Sequence, residues 1–351
     1  MANPRWKQRP EGSTWGDFGP DDEWGRMNLL TPERVLAAVQ EVKTGQTFNL
    51  SLPLDVPGGN VLNPRRYPPA LHPTRRNGRP NLNYQLRGDN PLHTDVVCDD
   101  LVVMHLQYST QWDGLAHVGA MFDVMGDGLP RPVYYNGFRA GVDVVGPTAL
   151  PASLFDFEQT QNQGTSHAKA LGVDKMAMRG VQGRAVMVDL MAHFGPGRTV
   201  VGWPELQQVI QADGLHFEPG DFVLFRTGFA DALLRMHPHP DAQALEQIGA
   251  VINGRDPQLL QWVSDSQVVA LIADNYAVEA HPALPQDTPC ATLPLHEHCL
   301  FKLGVHLGEL WHLSPLADWL RAQGRHRCLL TAPPLRLPGA IGSPASPIAT
   351  V

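Results

Sequence analysis

The sequence predicts a single α/β domain. Three observations carry this. Short apolar runs of the kind that form buried strands recur in the later half, at residues 185–188, 222–225 and 268–272. Helical stretches alternate with them, the pattern of an α/β domain. No internal repeat and no linker divides the 351 residues, a length that fits one large domain or two.

Taken in order, residues 1–30 are rich in Trp, Gly and Asp and read as an N-terminal extension. Thr31-Pro32-Glu33 offers an N-cap, a proline at the first helical position and an early acid. A helix is expected from there to about Thr44, stopped by Gly45. Residues 48–54 read as a strand. Residues 55–95 are rich in Pro, Asn and Arg and longer than an ordinary connection, so they read as a long loop or arm, functional or in contact with another subunit. Arg65, Arg66, Arg75, Arg76 and Arg79 cluster there as a solvated or oligomer-facing loop rather than a phosphate site. Residues 204–211 and 257–264 read as helices. Ser314-Pro315 opens a third, which Gly324 ends.

Composition narrows the function. With 27 Lys and Arg against 35 Asp and Glu, the net charge is −8 and no basic block stands out, which argues against nucleic-acid binding. The 33 Gly and 32 Pro indicate many turns and long ordered loops. Cys98, Cys290, Cys299 and Cys328 lack CxxC spacing and read as reduced core thiols. No signal-like apolar stretch opens the chain and no long apolar run could span a membrane, so a soluble cytoplasmic protein acting on a small-molecule substrate is expected. There is no GxSxG, GxxxxGK[ST] or GxGxxG, and Gly195-Pro196-Gly197 reads as a turn. These absences argue against a serine-hydrolase elbow, ATP and dinucleotides.

Two stretches carry chemistry. Read as one strand, residues 102–117 alternate: Val102, Met104, Leu106, Tyr108, Thr110 and Trp112 make a mostly apolar face, and His105, Gln107, Ser109, Gln111 and Asp113 a polar one. Tyr108 and Trp112 then belong to the core rather than to a substrate platform. Gly114 lets the chain turn and bring His117 beside Asp113. Periodicity alone favours a water-facing strand with Asp113 capping the turn. The alternative is a carboxylate and an imidazole converging from a strand end, as a metal site or an acid–base pair requires.

In residues 295–312, Pro294 begins a helix that Gly304 ends, with His296 in its first turn. A following strand would place Val305, Leu307, Glu309 and Trp311 on one face, leaving Glu309 as a carboxylate among apolar residues, costly unless paired or metal-bound. His298, His306 and His312 read as surface or interface histidines, and His296-Glu297-His298 is not an HExxH motif. Asp274, at the end of an expected strand, either supports the site or caps a loop.

The run Ser109-Thr110-Gln111-Trp112-Asp113-Gly114-Leu115-Ala116-His117 resembles the signature of the putative cyclase family, which includes kynurenine formamidase and isatin hydrolase and whose usual form is HxGTHxDxPxH. Tyr135-Asn136-Gly137, the run from Gly220 to Gly228, the run from Ala273 to Glu279, Leu295-His296, the run from Leu307 to Trp311 and the closing Gly342-Ser343-Pro344 resemble further family segments in the expected order. The resemblance implies a mixed α/β fold with a barrel-like β core flanked by helices, assembled as a homodimer or homotetramer. It implies a divalent metal, Zn or Mn, and hydrolysis of an amide or formamide in a small aromatic or cyclic substrate.

Carried over by position, the family's first two histidines fall on Gln107 and Gln111, its aspartate on Asp113, its third histidine on His117, and its late histidine and glutamate on His296 and Glu309. An amide oxygen is a much weaker zinc ligand than imidazole, so a site using the first two positions is weakened. Asp113, His117, His296 and Glu309 remain as one metal site. If His117 is a ligand, Glu309 or another residue is the base; if the metal sits elsewhere, His117 is free to act. Gln107 and Gln111 would bind a substrate carbonyl or water. The alternatives are a metal-dependent lyase or cyclase, and a binding protein that lost catalysis with its two histidines. Metal content separates the last from the others.

Overall fold

The apolar runs form the strands of one sheet. The computed structural model describes residues 3, 5–147 and 165–351. Its main sheet has nine strands: β1 (Thr47–Asn49), β2 (Gln111–Asp113), β3 (Gln182–Asp189), β4 (Phe222–Arg226), β5 (Ala270–Ala273), β6 (His306–Glu309), β7 (Arg327–Thr331), β8 (Gly342–Pro344) and β9 (Ile348–Thr350). Their order is β1-β9-β7-β3-β4-β5-β6-β2-β8. From β3 to β6 neighbours run parallel, joined by connections that contain helices; the outer pairs are antiparallel. One stretch, residues 342–350, pairs with β2 at its start and with β7 at its end, so it draws the two edges of the curled sheet together. This is a mixed sheet with a barrel-like core, flanked by helices.

Alternation along the strands divides the core in two. Ala185, Met187, Phe222, Leu224, Ala270 and Ile272 face one cluster, with Trp112, Trp311 and the helix Ser314–Ala322. Val186, Val188, Val223, Phe225, Leu271 and Leu307 face the other, packed by the helices Trp203–Ala212 and Pro257–Ser266 and by the turn around Leu295 and Cys299. Both faces are covered, which is why the central strands read as unbroken apolar runs. Residues 1–30 join this core where described: Trp15 is fully buried with its Nε1 donating to Phe301 O at 2.7 Å, and Arg26 donates to Val263 O and Ser264 O, each at 2.6 Å.

Several expectations are corrected. Residues 102–117 are not one strand: Asp100–Val103 pairs with Ala70–Pro73, turns follow, and only Gln111–Asp113 joins the main sheet. Much of the expected loop at 55–95 is an exposed arm of short paired strands. The helix opened by Thr31, whose side chain accepts from Arg34 N, is Pro32–Val39 rather than longer. Beyond Val39 the N–H groups of Gln40, Glu41 and Val42 bond three residues back, to Ala37 O, Ala38 O and Val39 O, and those of Thr44 and Gly45 bond to Val351 O. Where residues 48–54 are expected as a strand, β1 is the shorter Thr47–Asn49. Trp311 lies on the face opposite Leu307, because Leu310 adopts a left-handed φ of 57° and reverses the alternation. Cys299 and Cys328 are buried, but Cys98, on the arm, and Cys290, in a surface loop, are exposed. His306 is buried within β6 rather than at a surface. Among the described residues no helix is long and apolar enough to cross a membrane.

Candidate metal centre

The site forms where β2 and β6, next to the β8 edge of the sheet, meet. They pair antiparallel, with Leu307 opposite Asp113 and Glu309 opposite Gln111. Gln111, Asp113 and Glu309 therefore emerge on one face, beside Leu307. The third contributor, His296, comes from the helical turn Pro294–His296, which widens into a π-helix over Glu297–Leu303. The turn after β2 depends on Gly114: a Cβ there would lie 2.6 Å from Ile341 O and 2.8 Å from Val173 Cγ1. His117 N then donates to Gly114 O at 2.9 Å, and the imidazole comes back towards Asp113.

Asp113, His296 and Glu309 are buried, and one ligand atom from each lies within 4.8 Å of the others. His296 Nε2 is 3.2 Å from Glu309 Oε1 and 3.8 Å from Asp113 Oδ2. Gln111 Nε2 bridges the two carboxylates, 3.1 Å from Glu309 Oε2 and 3.4 Å from Asp113 Oδ1. His117 stands at the rim, its Nε2 3.8 Å from Asp113 Oδ1 and its side chain 21% exposed. Gln107 Nε2 approaches the far side of that ring, 3.4 Å from Nδ1. The Gln107 side chain itself lies over Gly342, where a Cβ would come within 2.6 Å of its Cδ.

Two residues that sequence reasoning passed over complete the surroundings. Glu279 is fully buried; its Oε1 lies 2.7 Å from His296 Nδ1 and accepts from His296 N at 3.0 Å, while Oε2 accepts from Leu295 N at 2.9 Å. The preceding residues Ala277 and Val278 both hold left-handed φ values, 74° and 57°. For a β-branched valine that is strained, of order 1–3 kcal/mol, and the loop tolerates it in delivering Glu279 to the histidine. The second is Arg66. It leaves the solvated arginine cluster of the arm and donates through Nη1 to Gln107 O at 2.6 Å. By contrast Asp274 is a loop cap, accepting from Thr227 N at 2.7 Å and Gly228 N at 2.8 Å. Trp112 is core, with Nε1 bonded to Ala332 O at 2.7 Å, and the Tyr108 hydroxyl ties down the Gly58-Gly59 turn.

The electrostatics are those of a crowded anionic pocket. Burial drives the Asp113 carboxyl above its ordinary pKa, against the attraction of His117 and His296. Burial also opposes ionisation of Glu309, but its hydrogen bond with His296 and the charges of His296 and Arg66 hold it below its ordinary value. For His296 burial favours the neutral ring, yet the hydrogen bonds to Glu279 and Glu309 prevail and raise its pKa to about 10. Asp113 Oδ2 and Gln111 Oε1 are buried with no hydrogen-bond partner among the described residues. Oxygen and imidazole donors, an orphaned carboxylate oxygen and an excess of buried negative charge suit a divalent cation.

Fold and site together define an α/β protein with a curled, barrel-like sheet and a buried carboxylate–histidine cluster at one edge. The chain belongs to the putative cyclase family, whose profile its residues 48–280 match. It is similar to a crystal structure described as a novel cyclase, at 28% identity and a TM-score of 0.70, covering 97% of each chain. It also shares its fold with isatin hydrolase A from Ralstonia solanacearum (15% identity, TM-score 0.53, covering 91% of this chain and 97% of that one). Isatin hydrolase A from Labrenzia aggregata, bound to benzyl benzoate, is comparable (13% identity, TM-score 0.52, covering 87% and 93%). No curated protein sequence matches the chain.

Proposed function

We propose that this protein is a metal-dependent hydrolase that cleaves a C–N bond, in an amide, formamide or cyclic amide, of a small aromatic substrate, in the manner of an arylformamidase. The observation that carries the reading is the convergence of Asp113, His296 and Glu309, buried and with ligand atoms within 4.8 Å, where Asp113 Oδ2 has no hydrogen-bond partner among the described residues. These three residues would hold one Zn²⁺ or Mn²⁺ ion. Bound there, the ion supplies Lewis acidity and lowers the pKa of a water towards ~7.

The rest is assigned to this chain's own side chains. His117, standing at the rim outside the three-residue group, takes the proton of the attacking water. Asp113 faces the ring across Nε2, and the Gln107 amide, turned so that its oxygen meets Nδ1, would accept the N–H there and leave Nε2 free to take the proton. A C–O bond forms at the carbonyl carbon while the carbonyl electron pair moves onto its oxygen. The carbonyl then re-forms, the C–N bond breaks, and His117 returns the proton to the leaving nitrogen. Water and amide have become acid and amine. Gln111, bonded to both carboxylates, keeps them apart and in place.

The test is turnover of formanilide and of a cyclic aryl amide by the metal-loaded protein in water enriched in oxygen-18. One labelled oxygen in the acid product is the expected result. Conversion without label would indicate a lyase or cyclase, and no conversion of any amide would remove the hydrolase reading.

A further inference from the structure

Beside Gln107 a small pocket, with room for about one water, is lined by Asn63, Arg66, Gln107, Tyr108 and Tyr276. Arg66 brings a permanent positive charge into it from the arm, and it is half-buried. One residue fixes it to the centre: the Gln107 backbone carbonyl takes Nη1 at 2.6 Å, while the Gln107 side chain lies 3.4 Å from His117 Nδ1. Among the described residues, Nη2 and Nε of Arg66 have no partner. A guanidinium has five N–H donors, and those of Arg66 that are not bonded to Gln107 are open to solvent, so a ligand can take them in place of water. The charge of Arg66 also reaches both Asp113 and Glu309, which places it within electrostatic range of the reacting centre.

We infer that Arg66 is a catalytic residue of the hydrolysis, its free N–H groups receiving the carbonyl oxygen of the scissile amide as that oxygen becomes negative. This rests on the hydrolase reading above. The electron pair that moves onto the oxygen when water adds is met by a fixed donor fork, and it returns to carbon when the C–N bond breaks. Such donors act mainly in the transition state and cost on the order of 10²–10³ in kcat when removed. The arm is thereby part of the active site, and its arginine is the piece of the sequence that serves the chemistry.

Metal-loaded wild type, Arg66→Met, Arg66→Lys and Arg66→Ala should be compared with a neutral aryl amide. Expected for Arg66→Met is a loss of about 100-fold in kcat, with KM, metal content and unfolding midpoint unchanged. Arg66→Lys should recover part of the loss, and added guanidinium ion should restore part of it in Arg66→Ala. Independently of turnover, an aryl phosphonamidate analogue should bind Arg66→Met about 100-fold more weakly in calorimetry. A retained kcat, an effect on KM alone, an effect confined to substrates bearing a carboxylate, or unchanged analogue affinity would overturn the assignment. If wild type hydrolyses the amide while any of these holds, only the role of Arg66 fails; if wild type hydrolyses none, the hydrolase reading fails.

Discussion

Glu279 grips His296 twice, through the ring and through the backbone: Oε1 sits 2.7 Å from Nδ1 and accepts from the amide N–H at 3.0 Å. With Nδ1 so engaged, Nε2 is aimed at Glu309 and Asp113. This is the arrangement in which a carboxylate fixes the orientation and basicity of a metal-binding imidazole. Glu279→Gln should therefore weaken zinc binding about 10–100-fold, measured by competition with a chromophoric chelator, with the circular dichroism spectrum unchanged. Unaltered affinity would mean that Glu279 only braces the loop.

The pH dependence of metal binding follows from the same contact. His296 in the metal-free protein has its pKa raised to about 10, so it carries a proton at neutral pH. A metal at Nε2 must displace that proton. Because the folded pKa lies above the working range, affinity should rise with pH by about tenfold per unit from pH 6 to 8. Zinc titrations in a non-chelating buffer check this; a flat profile would contradict it.

His306 works on stability in the opposite sense. Burial pushes its pKa down to about 3, and its Nδ1 has no hydrogen-bond partner among the described residues. The unfolded chain takes up a proton near pH 6.5 and the folded protein does not. Stability is thus fully present above that pH and falls by about 1.4 kcal/mol per unit below it. Relative to wild type, His306→Leu should gain about 2–3 kcal/mol between pH 6.5 and 4.5, read from urea unfolding. A constant difference would contradict it.

On the resemblance of residues 109–117 to the family signature, Gln107 and Gln111 fall at positions where histidines are expected, and both amides touch the centre. Replacing both by histidine adds two imidazoles next to His117 and Asp113. The Gln107→His, Gln111→His double variant should raise metal content above that of wild type, from about one ion per chain towards two, by elemental analysis after desalting. No increase would show that the pocket has closed around the glutamines.

The parts of this account that were legible in the sequence are those set by local rules. The central strands were readable because both sheet faces are covered, and the helix starts because Thr31, Pro257 and Pro315 obey capping chemistry. Asp113, His296 and Glu309 stood out as ionisable groups in a resembling motif and on an apolar face. What depended on backbone reversals was hidden. Leu310 in the left-handed region sends Trp311 to the other face, and the strained Ala277-Val278 pair delivers Glu279. Arg66 was hidden because nothing local distinguishes it from its neighbours in the arm; only the folded chain brings it to Gln107. A glutamate closing the resembling segment from Ala273 was the one available signal for Glu279.

The proposed function stands on the binding of one divalent ion by Asp113, His296 and Glu309. Elemental analysis of protein loaded with Zn²⁺ or Mn²⁺ and then desalted, for wild type, His296→Ala and Asp113→Asn with folding checked by circular dichroism, tests it most directly. The account predicts about one equivalent per chain in wild type and little in either folded variant. Absence of metal from wild type, or full occupancy in both variants, would contradict it.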